Sequence, residues 1–263
     1  MPLSTKCVGA IWRPTLAMVR GVKALLKATA PGKLSKSGKF SCFRARTANN
    51  RPTGPRLRGI TKLLSQRVHS SATLPTRSSW RGSTWSGEDG GLRRGKAVDS
   101  QVSRLAGASA RTLKQTRMLK LTRLFFSALK YHGLTPVGSQ RVVIDRARGI
   151  GTAVDVVCTR GRHELVLVEL KTGFGGDRAQ SAGTYLQPPL GKAKDCHINR
   201  HFAQLAVTLH LFKQEESTLA KLLSKGIDLV SGCVLYVDGD LSEKFELPAW
   251  WQRRGARLVD RIS

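Results

Sequence analysis

Apolar residues fall into clear periods only beyond residue 110. Leu113, Met118, Leu119, Leu121, Leu124, Phe125, Phe126 and Leu129, with Lys114, Arg117, Lys120 and Arg123 between them, predict one helix over residues 111–131 that stops near Gly133 and Pro136. Arg141 to Ile144 opens a strand, and a bend over residues 146–151 leads into a second around Val154, Val156 and Val157. A third begins at Glu164 and runs Leu165, Val166, Leu167, Val168 without a polar break, as a strand covered on both faces does. A helix over residues 200–214 and a strand over residues 232–238 complete the pattern. Before residue 110, by contrast, Arg, Ser, Thr, Gly and Pro interrupt every long hydrophobic period. Such a chain cannot bury enough surface to order itself. The pattern therefore predicts a disordered leader over residues 1–110 and one α/β domain over residues 111–263, with a mixed central sheet flanked by helices.

Charges inside the two apolar strands need a reason. Asp155 lies in the second strand, and Glu169 and Lys171 end the third. Side chains alternate along a strand, so Glu169 and Lys171 share a face and Leu170 takes the other. A three-residue turn of Gly161, Arg162 and His163 sets Asp155 opposite Glu169 on that same face, whereas a two-residue turn separates them. Carboxylates in a half-buried site favour a hard cation over bare desolvation, and oxygen ligands suit Mg²⁺ or Mn²⁺. Asp155 and Glu169 are thus candidate metal ligands, with the Leu170 carbonyl completing the protein's share. Water and a substrate phosphate fill the remaining positions. Lys171 then holds or polarises the attacking water. The reaction this implies is phosphodiester hydrolysis. The bland alternative is a solvated Glu–Lys pair on an ordinary hairpin, with Asp155 accepting backbone hydrogen bonds.

At Asp155, Glu169 and Lys171 the chain resembles the PD-(D/E)XK nuclease superfamily. Residues 199–212, Asn-Arg-His-Phe-Ala-Gln-Leu-Ala-Val-Thr-Leu-His-Leu-Phe, look like the helix of RecB-type and lambda-exonuclease-type members that brings a Gln to the metal site; the matching residue is Gln204. The strand over residues 232–238 resembles the next core strand, so the likeness covers residues 111–251. It implies a restriction-endonuclease-like core, Mg²⁺ or Mn²⁺ as cofactor, DNA as partner and exonuclease action. Two departures stand out. Val154 replaces the proline that often precedes the Asp, and the segment 111–131 holds no Asp or Glu where many members carry a helix acid. Gln115 and Gln140 are the neutral oxygens available instead. A degenerate member acting as a nucleic-acid-binding or ribonucleoprotein subunit is the alternative. A herpesviral family of basic nuclear proteins also combines a Glu-Leu-Lys-Thr strand, here residues 169–172, with a downstream Gln-Leu helix.

Charge narrows the partner. Lys plus Arg number 45 against 17 Asp plus Glu, a net charge of +28 that attracts polyanions. Residues 1–110 hold 21 basic and 3 acidic residues, and none of the acids precedes Glu88. Residues 8–28 mix Ile11, Trp12, Leu16, Met18, Val22, Leu25 and Leu26 with Arg13, Arg20, Lys23 and Lys27 in an acid-free, amphipathic segment of transit-peptide type, which implies mitochondrial import; a basic tail for nuclear entry is the alternative. No apolar run reaches the roughly twenty residues of a membrane span. The Gly- and Pro-rich stretch 172–198 is a loop whose Arg178, Lys192 and Lys194 suit guiding a strand to the site; a variable surface insertion is the alternative. Five cysteines without paired spacing give no disulfide framework, and Cys196, His197 and His201 lack a fourth ligand for zinc.

Overall fold

The computed structural model describes residues 16–28, 33–37, 42–46, 52–71, 74, 90–173, 178–179, 181 and 183–263. In chain order the elements are α1 (Leu16–Ala28), β1 (Lys33–Ser37), β2 (Cys42–Arg46), β3 (Pro52–Gly59), α2 (Ile60–Arg67), α3 (Gly90–Leu105), α4 (Ala110–Gln115), α5 (Lys120–Tyr131), β4 (Leu134–Asp145), β5 (Ile150–Arg160), β6 (Glu164–Thr172), α6 (His197–Lys213), α7 (Glu216–Leu223), β7 (Leu229–Asp238), β8 (Leu241–Glu246), α8 (Ala249–Gln252) and α9 (Gly255–Ile262). The strands form one mixed sheet in the order β1-β2-β3-β5-β6-β7-β8, with β4 also pairing with β5. The α/β class and the helix-flanked mixed sheet match the sequence pattern. Among the described residues no helix is long and apolar enough to cross a membrane.

Two apolar layers cover the sheet. One is built on α6, α9, α2 and α1, and it buries Leu165, Leu167, Val234 and Tyr236 against Phe202, Leu205 and Leu209. The other is built on α3 and α5, which close over Val156, Val166, Val168, Leu170 and Cys233 with Val98, Val102, Phe125 and Leu129. That β6 contributes alternate residues to both layers explains its unbroken apolar run. Gly255 allows α9 to lie on α6: a Cβ there would sit 2.7 Å from the Ala206 carbonyl oxygen.

The packed part begins well before residue 111, contrary to the expected boundary. Val22 and Leu26 of α1, Ile60, Leu63 and Leu64 of α2, and Val98, Val102 and Leu105 of α3 are all buried. Arg141 of β4 fixes α1 by donating from Nη1 to the Leu26 carbonyl at 2.8 Å. These helices were hidden because Gly-, Ser- and Arg-rich sequence separates them from one another. The transit-type segment 8–28 is described only from Leu16 onward; its first part lies outside the described residues.

The expected helix over 111–131 is two helices. Gln101 of α3 breaks it from outside, accepting the Leu119 N–H at 2.8 Å on Oε1 and donating from Nε2 to the Arg117 carbonyl at 3.2 Å. That capping depends on tertiary contact and leaves no local signal. β4 starts earlier than expected and carries Pro136 at a register shift, where a residue without an N–H is tolerated.

Candidate active site

The hairpin of β5 and β6 sets the geometry. Arg160 pairs with Glu164 across a three-residue turn in which Gly161 takes a φ of 62°, a value glycine adopts without strain. The register runs on to Val156 opposite Val168, where the pairing of the two strands stops. The next pair in that register is Asp155 with Glu169, the arrangement the sequence requires of this turn. Beyond that point the same edge of β5 is taken over by β3, through Ile150 and Gly151. Asp155 therefore sits where two neighbours diverge and backbone groups are free to meet side chains.

The side chains converge on two carboxylates. Asp155 Oδ2 accepts the Leu170 N–H at 2.9 Å. Glu169, only 2% exposed, receives two donors on Oε1: Lys171 Nζ at 2.5 Å and Gln204 Nε2 at 2.6 Å. Gln204 comes from α6, and α6 is held over the sheet by its apolar faces. All four expected side chains, Asp155, Glu169, Lys171 and Gln204, thus meet in one place. Leu170, expected to offer its carbonyl, packs its side chain in the α3–α5 layer and directs its N–H to Asp155.

The sequence reading missed Asp99. It lies on α3, and its carboxyl is pushed up by burial and by the charge of Glu169. Its own charge is felt in turn by Asp155 and Lys171. Gln140 of β4 donates from Nε2 to Asp99 Oδ1 at 3.0 Å. The segment 111–131 indeed carries no acid, but the helix that packs beside the site is α3, earlier in the chain. A signal existed: Val98, Val102 and Leu105 mark one face at helical spacing around Asp99.

Burial and then Glu169 hold the Asp155 carboxyl well above the usual carboxylate range, despite the opposing pull of Lys171. Burial lowers Lys171, but Glu169 and Asp155 outweigh it and the ammonium ends above its ordinary range. Three carboxyl groups are thus coupled to one ammonium. Asp155 Oδ1 and Glu169 Oε2 have no hydrogen-bond donor among the described residues, so each carboxylate keeps one oxygen for an incoming group. Among the described residues no three His, Cys, Asp or Glu side chains are arranged to hold a metal ion by themselves. Two carboxylates with open positions suit Mg²⁺, which keeps water and substrate oxygens in its shell.

The neighbouring histidines serve other ends. His201 Nδ1 lies 2.6 Å from the Tyr236 hydroxyl, and burial, followed by Lys171, holds its ring well below the usual histidine range and therefore neutral. Asp195 is fully buried, accepts the Ser70 N–H at 2.8 Å and pairs with Arg200. Arg178, expected to guide substrate, is instead 7% exposed, paired with Glu243 and stacked 4.7 Å above the Tyr236 ring. Lys192 and Lys194 are exposed. Compared with known proteins, the chain matches no family model and no curated protein.

Proposed function

We propose that this protein is a metal-dependent nuclease with a restriction-endonuclease-like core that hydrolyses phosphodiester bonds of DNA, in the manner of the exonuclease branch of the PD-(D/E)XK superfamily. One observation carries the reading: Asp155 and Glu169 come next after the last β5–β6 pair, Val156 with Val168, and there Asp155 accepts the Leu170 N–H while Lys171 and Gln204 both hold Glu169 Oε1. Asp155, Glu169 and the Leu170 carbonyl would hold Mg²⁺ or Mn²⁺. Such an ion supplies charge neutralisation at the phosphate and a more acidic water. Lys171, anchored on Glu169, holds the water on the attacking side and offsets charge growing on the phosphoryl oxygens as the new O–P bond forms and the bond to the leaving oxygen breaks. Gln204 keeps the Glu169 carboxylate from turning away. The net charge of +28 draws the polyanion in, chiefly through its backbone.

The acid-free N terminus supports mitochondrial import, with nuclear entry as the alternative. Because Met18 and Val19 of α1 already pack against the core, a processing cut compatible with this fold falls before Leu16.

The test is cleavage of end-labelled linear, circular and single-stranded DNA by the full chain in Mg²⁺, Mn²⁺ or EDTA, beside Lys171→Ala. Metal-dependent cutting that the variant loses is the expected result, and a preference for linear over circular DNA marks an exonuclease. A second reading, a binding or ribonucleoprotein subunit on a nuclease scaffold, draws support from the lack of a three-ligand metal group among the described residues. It predicts salt-sensitive binding with no cutting and no effect of Asp155→Ala.

A further inference from the structure

Gln140 is the one non-glycine residue among those described whose backbone has a positive φ, at 49°. An L residue enters that region at a cost, and the structure around it must hold it there. Its position is specific. Ser139 pairs with Val156 and Arg141 with Val154, so Gln140 lies on β4 directly across from Asp155. The two consecutive residues then do something an ordinary strand does not. Ser139 donates from Oγ to the Ser103 carbonyl at 2.8 Å, and Gln140 donates from Nε2 to Asp99 Oδ1 at 3.0 Å. Both partners belong to α3, one turn apart. In a regular strand adjacent side chains point to opposite faces, and only one of them reaches a given helix. The left-handed turn of the backbone at Gln140 breaks the alternation and lets both grip α3.

We infer that Gln140 is a positioning residue: its strained backbone aims an amide donor at Asp99 and so fixes that carboxylate beside the Asp155–Glu169 pair. The inference rests on the nuclease reading of that pair. Among the described residues Asp99 forms no three-ligand group with that pair. A fixed donor to one oxygen favours the ionised carboxylate, and a fixed orientation keeps its charge directed at the site. Gln140 touches neither substrate nor ion and acts only through Asp99.

The test uses the full chain as wild type, Gln140→Gly, Asp99→Asn and the double variant. Each is melted in EDTA, titrated with MnCl₂ by thermal shift, and assayed for cleavage of linear DNA. Glycine takes a positive φ without strain and lacks the amide. Gln140→Gly should therefore melt no lower than wild type in EDTA, yet need about tenfold more Mn²⁺ for half its thermal shift and cut about tenfold more slowly at limiting Mn²⁺, the scale of outer-sphere effects on metal sites. Added to Asp99→Asn, it should change neither value by more than about twofold, because it has no other route to the site. Gln140→Asn, which tolerates the same backbone region but carries its amide one carbon short, should share the Mn²⁺ defect. A wild-type Mn²⁺ midpoint in Gln140→Gly overturns the inference. So do equal losses in the wild-type and Asp99→Asn backgrounds, or a melting temperature below wild type in EDTA, which makes Gln140 a support of the fold. If the wild-type chain itself neither shifts with Mn²⁺ nor cuts DNA, the nuclease reading is wrong and this inference falls with it.

Discussion

Replacing Asp155 with Asn should make the metal-free protein more stable and, on the nuclease reading, abolish cleavage. Asn has the same shape and keeps an oxygen for the Leu170 N–H, which reaches Asp155 Oδ2 at 2.9 Å. What it removes is one negative charge from a buried group in which Asp155, Glu169 and Asp99 share a single ammonium, that of Lys171. Relief of such functional strain is typically worth about 1 kcal/mol, or roughly 2–4 °C in melting temperature for a chain of this size. The pH dependence follows from the raised carboxyl of Asp155. Below the ordinary carboxylate range the group is protonated in both folded and unfolded chains, and the two proteins should differ little. As pH rises the unfolded chain ionises first, so wild type loses stability relative to the variant until the folded carboxyl ionises as well; above that the gap is constant. Melting in EDTA from pH 4.5 to 8.5 measures the gap directly. With Mn²⁺ at about a hundred times its dissociation constant, wild type gains about 2.7 kcal/mol and the variant little, so the order of melting temperatures inverts. A variant that melts below wild type at pH 8 in EDTA, or a gap that does not grow with pH, would refute the electrostatic account of the site.

Three further substitutions or deletions probe separate parts of the structure. Gly255→Ala places a methyl 2.7 Å from the Ala206 carbonyl oxygen and 2.8 Å from His210 Cβ, and prying α9 from α6 should cost about 1–3 kcal/mol in chemical denaturation. Gln204→Ala leaves Glu169 Oε1 with Lys171 as its one donor, and cleavage should fall about 10- to 100-fold with little change in melting temperature. A chain of residues 111–263 lacks Asp99 and the buried faces of α1, α2 and α3, so it should show no cooperative melt and no cutting. A folded, active fragment of that length would mean that the early helices are dispensable.

The hairpin was legible because its geometry is local. A three-residue turn fixes the register, the register fixes the face, and Asp155, Glu169 and Lys171 follow with no knowledge of the rest of the chain. Gln204 was legible through likeness of its helix. Asp99 was not, and the reason is physical. Its helix begins Gly90-Gly91-Leu92-Arg93-Arg94-Gly95, a poor helix sequence that forms because Val98 and Val102 are buried in the layer with β6 and α5 and because Ser139 and Gln140 hold it from β4. The break between α4 and α5 was illegible for the same reason, since Gln101 imposes it from another element. Arg178 misled in the opposite sense: a basic residue in a Gly-rich loop reads as solvent-facing, and only the fold supplies Glu243 and the Tyr236 ring as its partners.

Two fields of opposite sign meet in this molecule, and on the nuclease reading they divide the work. The chain as a whole is strongly positive and attracts a polyanion at long range, an attraction that falls steeply with salt. The site is locally negative, with three carboxylates around one ammonium, and alone it would repel the very phosphate it has to reach. On that reading a divalent cation would reconcile the two, because it would reverse the local sign at the site and leave the outer field untouched. Salt and metal should therefore act on different quantities. Raising salt should weaken binding of DNA to the chain in EDTA and in Mn²⁺ alike, whereas withdrawing the metal should stop cutting while binding persists at low salt. If binding itself vanished with the metal at low salt, the negative site and not the basic surface would control association.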